Sequence, residues 1–248
     1  MFGKTSGLCL MQTIILLLLI STLWNSTWAS AQTVTIQNSG SSRVIVKNGR
    51  VRASGDVIVG NGASVQRTYD CQSFHTLVSD QSMDITWGQG DKPSVVIEGD
   101  ENIVNSMQVS AIGGILKIQS PKSFVSQSVL RAYVTSPSIR QAKLSGSGDL
   151  EVFECRGDEF IVDAQGSGDI SVSGNVKRLV LRLSGSGDVD AVGCDAESVR
   201  VSMNGSGDVT ISCSGRVTGS MNGAGDLTIS GNAVINVRND GAGEIYTD

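Results

Sequence analysis

Along residues 141–248 apolar and polar positions alternate around a turn that keeps returning. Gly146-Ser147-Gly148-Asp149 recurs as Gly166-Ser167-Gly168-Asp169, Gly185-Ser186-Gly187-Asp188 and Gly205-Ser206-Gly207-Asp208, then decays to Gly223-Ala224-Gly225-Asp226 and Gly241-Ala242-Gly243-Glu244. One residue after the acidic position stand Leu150, Ile170, Val189, Val209, Leu227 and Ile245; three after it stand Val152, Val172, Ala191, Ile211, Ile229 and Thr247. That period of two predicts a strand leaving each turn with one face buried. Two before the first glycine stand Leu144, Ala164, Leu183, Met203, Met221 and Asn239, and six before it Phe160, Leu179, Val199, Val217 and Ile235. A second half-buried strand therefore enters each turn. Polar corners such as Ser173-Gly174-Asn175 join exit strand to entry strand.

Two strands per repeat, with equivalent positions apolar, make each repeat one coil of an all-β parallel solenoid, a β-helix of about 19 residues per coil. Each strand pairs with its copy in the next coil at about 4.8 Å, and the apolar residues stack into internal ladders. Parallel crossovers are right-handed as a rule, so the coil is expected to wind that way. A helix is excluded by period and by the glycines, each costing about 1 kcal/mol there. Residues 32–140 read as less regular coils, with strand-like runs at Met83-Asp84-Ile85-Thr86-Trp87, Ser94-Val95-Val96-Ile97, Ile115-Leu116-Lys117-Ile118 and Leu130-Arg131-Ala132-Tyr133-Val134. No linker interrupts 32–248, which is expected to be one domain.

Residues 1–31 have a different character. Lys4 precedes the apolar run Ile14 to Ile20, and Ala29-Ser30-Ala31 follows with small residues. This is a secretory signal peptide, with cleavage expected before Gln32. Its apolar core is shorter than the ~20 residues of a spanning helix. No later run approaches that length, so the mature chain is expected to lie in the periplasm, cell envelope or exterior without a transmembrane segment. The 248 residues carry 19 basic and 24 acidic side chains and one histidine. Basic clusters are absent, which argues against a nucleic-acid partner, and one histidine disfavours multi-histidine metal sites and a Ser-His-Asp hydrolase.

The acidic turn residues are the first candidate chemistry. Stacking places Asp149, Asp169, Asp188, Asp208 and Asp226 in a column about 5 Å apart, where neighbours repel by about 1 kcal/mol in water-like dielectric. A divalent cation, calcium for instance, would relieve this and makes the five a weak candidate ladder. The simpler reading is structural: glycine and aspartate are what a tight corner requires, with no cofactor and no metal. Four cysteines follow the signal segment: Cys71, Cys155, Cys194 and Cys213. Cys155 and Cys194 share one offset but lie two coils apart. Cys194 and Cys213 lie on adjacent coils, so any disulfide is expected between Cys194 and Cys213. His75 reads as a structural or surface residue, and Trp87 as one that packs in the less regular half.

Phe74-His75-Thr76-Leu77-Val78, Val95-Val96-Ile97-Glu98-Gly99-Asp100-Glu101-Asn102, Gly114-Ile115-Leu116-Lys117-Ile118 and Val134-Thr135-Ser136-Pro137, running into the glycine-rich turns, carry a family likeness. Over about residues 70–248 the chain resembles the putative auto-transporter adhesin head GIN domain family. The resemblance implies an exported β-solenoid, often bacterial, with no established catalytic residues. The expectation is thus a non-catalytic binding, adhesin-like or scaffold module, with an envelope or extracellular glycan or protein as partner. The alternative is a carbohydrate-active β-helix enzyme that cleaves extracellular polysaccharide with paired carboxylates.

Overall fold

The computed structural model describes residues 57–248 in full and, before them, the backbone of three strands: β1 (Thr33–Gln37), β2 (Arg43–Lys47) and β3 (Arg50–Ser54). The signal segment lies outside the described residues. The chain divides into two compact units, Met1–Gly55 and Asp56–Asp248. In the first, β1 pairs antiparallel with β2 and β2 with β3, with Lys47 opposite Arg50. These residues form a meander, not the loose coils expected of them. Asn48-Gly49, the dipeptide between β2 and β3, favours two-residue hairpins over coil corners.

The second unit opens with β4 (Val57–Val59), β5 (Ser64–Tyr69), β6 (Thr76–Ser79), β7 (Asp84–Gln89), β8 (Ser94–Asp100), the single-turn helix α1 (Glu101–Val104), β9 (Gln108–Ile112), β10 (Ile115–Gln119), β11 (Ser123–Val125), β12 (Arg131–Ser136) and β13 (Gln141–Leu144). Four long strands follow, each running through a corner: β14 (Leu150–Ala164), β15 (Ile170–Leu183), β16 (Val189–Met203) and β17 (Val209–Met221). The unit closes with β18 (Leu227–Ser230), β19 (Val234–Asn239) and β20 (Ile245–Thr247).

From β14 onward every pairing is parallel, and its register reproduces the sequence repeat. Leu150 lies opposite Ile170, Ile170 opposite Val189, Val189 opposite Val209, Val209 opposite Leu227 and Leu227 opposite Ile245. Phe160, Leu179, Val199, Val217 and Ile235 run in a second register on the entry wall. Both walls extend backwards. β7 pairs parallel with β14 and β6 with β13, so residues 76–89 form one more coil. Beyond it the pairing is mixed: β10 and β12 stack parallel on β6 and β7, and β11 on β4, whereas β5–β8, β8–β12 and β9–β10 are antiparallel. The irregularity expected over 32–140 is therefore the insertion of antiparallel pairs among parallel ones.

The ladders are buried as expected. Leu181, Val201, Ile211, Leu179 and Leu150 are 0% exposed. Ile235 departs from this at 37%, since β19 is stacked on one side only. Trp87 is buried and donates its indole N–H to Ser136 Oγ at 2.9 Å, which satisfies the one polar atom it takes into the core. Leu181→Ala is expected to cost about 2–5 kcal/mol, as core truncations do. Arg182 lies on the outer face in an ion pair with the partly exposed Asp163, so Arg182→Ala is expected to cost under ~1 kcal/mol. Equal losses in denaturant melts would contradict the register, because a one-residue slip exchanges the two faces.

Candidate functional site

The acidic column exists, and its carboxylates are engaged with the backbone. Asp169 N–H donates to Asp149 Oδ1 at 2.9 Å, Asp188 N–H to Asp169 at 2.9 Å, Asp208 N–H to Asp188 at 2.8 Å, and Asp226 N–H to Asp208 at 2.8 Å. Glu244 N–H closes the series on Asp226 at 2.7 Å. Each carboxylate thus satisfies the backbone donor one coil on, which offsets the repulsion between like charges about 5 Å apart. Among the described residues no three His, Cys, Asp or Glu side chains converge as a metal set would.

The column begins one coil earlier than the repeats predict. Asp149 N–H donates to Asp84 Oδ1 at 3.2 Å. Asp84 heads the turn Gln81-Ser82-Met83-Asp84, which has no glycine. The missing glycines hid it. Its signal was the apolar pair Ile85 and Trp87, one and three residues after the acid, as Leu150 and Val152 follow Asp149.

The turn glycines answer to contact, not to conformation. A tight corner would place a turn glycine such as Gly187 at positive φ; the positive-φ glycines are others, and no glycine of the Gly-Ser-Gly-Asp turns is among them. A Cβ on Gly187 would lie 2.0 Å from Gly168 O, and one on Gly185 would lie 1.7 Å from Gly166 O. Successive turns stack so closely that the carbonyl of the coil below occupies the place of a side chain. On the first turn, the carbonyls of Gln81 and Met83 lie where Gly146 and Gly148 would carry Cβ atoms.

Two shallow grooves flank the turns. The one on the exit-strand side, about 540 Å³, is lined by Asp149, Glu151, Asp169, Asp188, Asp190 and Asp208 with no basic residue. The one on the entry-strand side, about 570 Å³, is lined by Lys143, Ser145, Asp163, Gln165, Arg182, Ser184, Ser202 and Asn204, over Leu144 and Leu183. The residues that precede each turn escaped the sequence reading because they share polarity without sharing a residue type.

The cysteines are arranged differently from expectation. All four are free. Cys213 lies opposite Ala196, whereas Cys194 lies opposite Gly174, which also faces Cys155 from the other side. Bulges at the corners displace Cys194 from Cys213. The hydrogen bond between the Cys155 and Cys194 thiols, together with burial, pushes the Cys155 thiol up. At two strand spacings, about 9.6 Å, these two exceed the ~7 Å Cα limit of a disulfide. His75 is exposed, with its ring nitrogen beside Thr76 Oγ1 at 3.2 Å.

Outside the exposed column one acid is buried among the described residues. Asp100 is 0% exposed. Its carboxylate accepts from Gly62 N–H at 2.9 Å, Ser126 Oγ–H at 2.7 Å, Gln127 N–H at 2.7 Å and Ser128 N–H at 3.3 Å. Burial alone would raise this carboxyl; the four donors outweigh it and hold it below the usual carboxylate range. Asp100 ties the loops at 60–62 and 126–128 to the end of β8.

A sequence profile of the family described as "putative auto-transporter adhesin, head GIN domain" matches residues 73–233. The chain resembles the crystal structure of a putative adhesin from Bacteroides fragilis NCTC 9343 with a TM-score of 0.66 and 21% identity, over 77% of this chain and 100% of that one. It also resembles a putative adhesin from Parabacteroides distasonis ATCC 8503 with a TM-score of 0.52 and 18% identity, over 78% and 100%. At these identities the likeness is one of fold. No curated protein matches the chain. Among the described residues no helix is long and apolar enough to cross a membrane.

Proposed function

The chain belongs to the putative auto-transporter adhesin, head GIN domain family, and on that premise we propose that it is an exported, non-catalytic, adhesin-like binding module of the cell envelope or exterior. One observation carries the non-catalytic part. The carboxylates that a polysaccharide-cleaving enzyme would use are hydrogen-bonded in series to the backbone of the next coil. They form a uniform row in which no acid and base are set apart by environment, as glycoside hydrolysis requires. The row also repels the acidic polysaccharides that some β-helix enzymes cleave. The names of the family and of the two solved adhesins support binding as the task. The apolar run closed by Ala29-Ser30-Ala31 supports export.

Two readouts on one preparation test this. Protein recovered from an exporting host is expected to begin at Gln32 by intact mass. Labelled mature chain is expected to bind intact cells saturably and to be displaced by unlabelled chain. Retention of residues 1–31 in the membrane fraction would contradict export, and binding that neither saturates nor is displaced would contradict the module.

A further inference from the structure

Resting on that reading, we propose that the binding surface is the entry-strand groove and that its ligand is an extended, uncharged glycan. The two grooves differ in what they offer. Ionised carboxylates accept hydrogen bonds and cannot donate them, so the exit-strand groove presents chiefly acceptors and unneutralised charge, with the Ser171 and Thr210 hydroxyls its only side-chain donors. A sugar hydroxyl needs both roles from its partner. Serine hydroxyls and Gln or Asn amides supply both, and these line the entry-strand groove.

One ion pair is neutralised there and one cation is left over. Arg182 pairs with Asp163 at 2.8 Å, and Gln141 donates to the other oxygen of Asp163 at 2.6 Å. Lys143 is the one lining cation without such a partner. The neutral groups are at liberty: among the described residues the side chains of Ser145, Gln165, Ser184 and Ser202 make no hydrogen bond, while Asn204 Oδ1 is held by Asn222 at 2.9 Å and leaves its amide N–H groups free. Backbone groups are satisfied by the stack: Gln165 N–H binds Leu144 O at 2.8 Å, Ser184 N–H Ala164 O at 3.0 Å and Asn204 N–H Leu183 O at 2.9 Å. What faces the ligand is therefore a row of side chains.

The geometry is that of a linear polymer. Lining residues come from β6, β13, β14, β15 and β16, so the groove runs across four strand spacings, about 19 Å. Equivalent polar groups recur once per coil, close to the length of one sugar ring. Leu144 and Leu183 form an apolar floor for the C–H faces of such rings.

The test uses the mature chain with a panel of neutral oligosaccharides, acidic oligosaccharides and basic peptides, at low and high salt. Neutral oligosaccharides of four or more units are expected to bind, with less than a threefold change in affinity between the two salts. The double variant Gln165→Ala/Ser184→Ala and the blocking variant Ser184→Arg are each expected to lose at least tenfold at an unchanged melting midpoint. Asp169→Asn/Asp188→Asn, in the other groove, is expected to bind as wild type does. Neutral-glycan binding that survives both groove variants would overturn the proposal. So would binding confined to acidic glycans or basic peptides with steep salt dependence, or failure of every neutral glycan while the labelled chain still binds cells; those last results leave the binding-module reading standing. If one groove variant melts early, the other carries the comparison.

Discussion

Gly185→Ala is expected to destabilise the chain by more than about 4 kcal/mol, an exceptional cost for the addition of one methyl group. The new Cβ would lie 1.7 Å from Gly166 O and 2.8 Å from its backbone carbon and nitrogen. None of these atoms can turn aside as a side chain does. The same carbonyl accepts from Ser186 N–H at 3.0 Å, so relieving the clash opens the hydrogen bond that sets the coil spacing. Asp188→Asn is expected to cost under ~0.5 kcal/mol, because the amide oxygen still accepts from Asp208 N–H and one repelling charge is removed. Gly88 provides the control. A Cβ there meets nothing within 4 Å, and Gly88→Ala is expected to be neutral or to stabilise slightly by restricting the unfolded chain. Urea melts of the three variants check this. A loss under ~1 kcal/mol at Gly185 would mean that the turns do not stack as described. An Asp188→Asn loss above that of Gly185→Ala, with calcium raising the melting point of wild type only, would make the column a cation site.

Asp100→Asn is expected to cost about 3–5 kcal/mol. The substitution keeps the shape and turns an acceptor into a donor. Ser126 Oγ–H, Gln127 N–H and Ser128 N–H all address Oδ2, and an amide nitrogen there leaves buried donors facing a donor. The pH dependence has a definite sign. The folded carboxyl titrates below its ordinary value, so its contribution is complete above the unfolded pKa of about 3.9 and is lost as pH falls through the folded value. Wild type is therefore expected to lose its advantage over Asp100→Asn only below about pH 4, with the two converging in stronger acid. Melts from pH 7 to pH 2 measure it. A parallel fall of both proteins through that window would contradict the role given to Asp100.

What the sequence made legible is what the stack repeats. Wherever a coil lies on another coil, the same contacts act at the same offsets, so Leu150, Ile170 and Val189 announce themselves together, and the five aspartates do so with them. The coil of residues 76–89 was hidden for the converse reason. Its turn at Gln81 and Met83 carries side chains, while Gly146 and Gly148 above it must not. The antiparallel pairs β5–β8 and β9–β10 were equally illegible. Alternation alone signals a half-buried strand and is silent on whether its partner runs parallel or antiparallel. Asp100 acquires its role from residues 26 to 38 positions away in sequence, a convergence that no local pattern records. The corner cysteines lose their constant offset for a finer reason: bulges there set Cys213 opposite Ala196 and Cys194 opposite Gly174.

Binding without turnover is the central claim. Co-sedimentation of the mature chain with isolated cell envelopes tests it most directly, with released reducing ends measured in the same supernatants. The account predicts saturable co-sedimentation, supernatants no richer in reducing ends than envelopes alone, and the same behaviour from Asp169→Asn. Reducing ends that accumulate with wild type and vanish with Asp169→Asn would contradict it, and would make the carboxylate column catalytic.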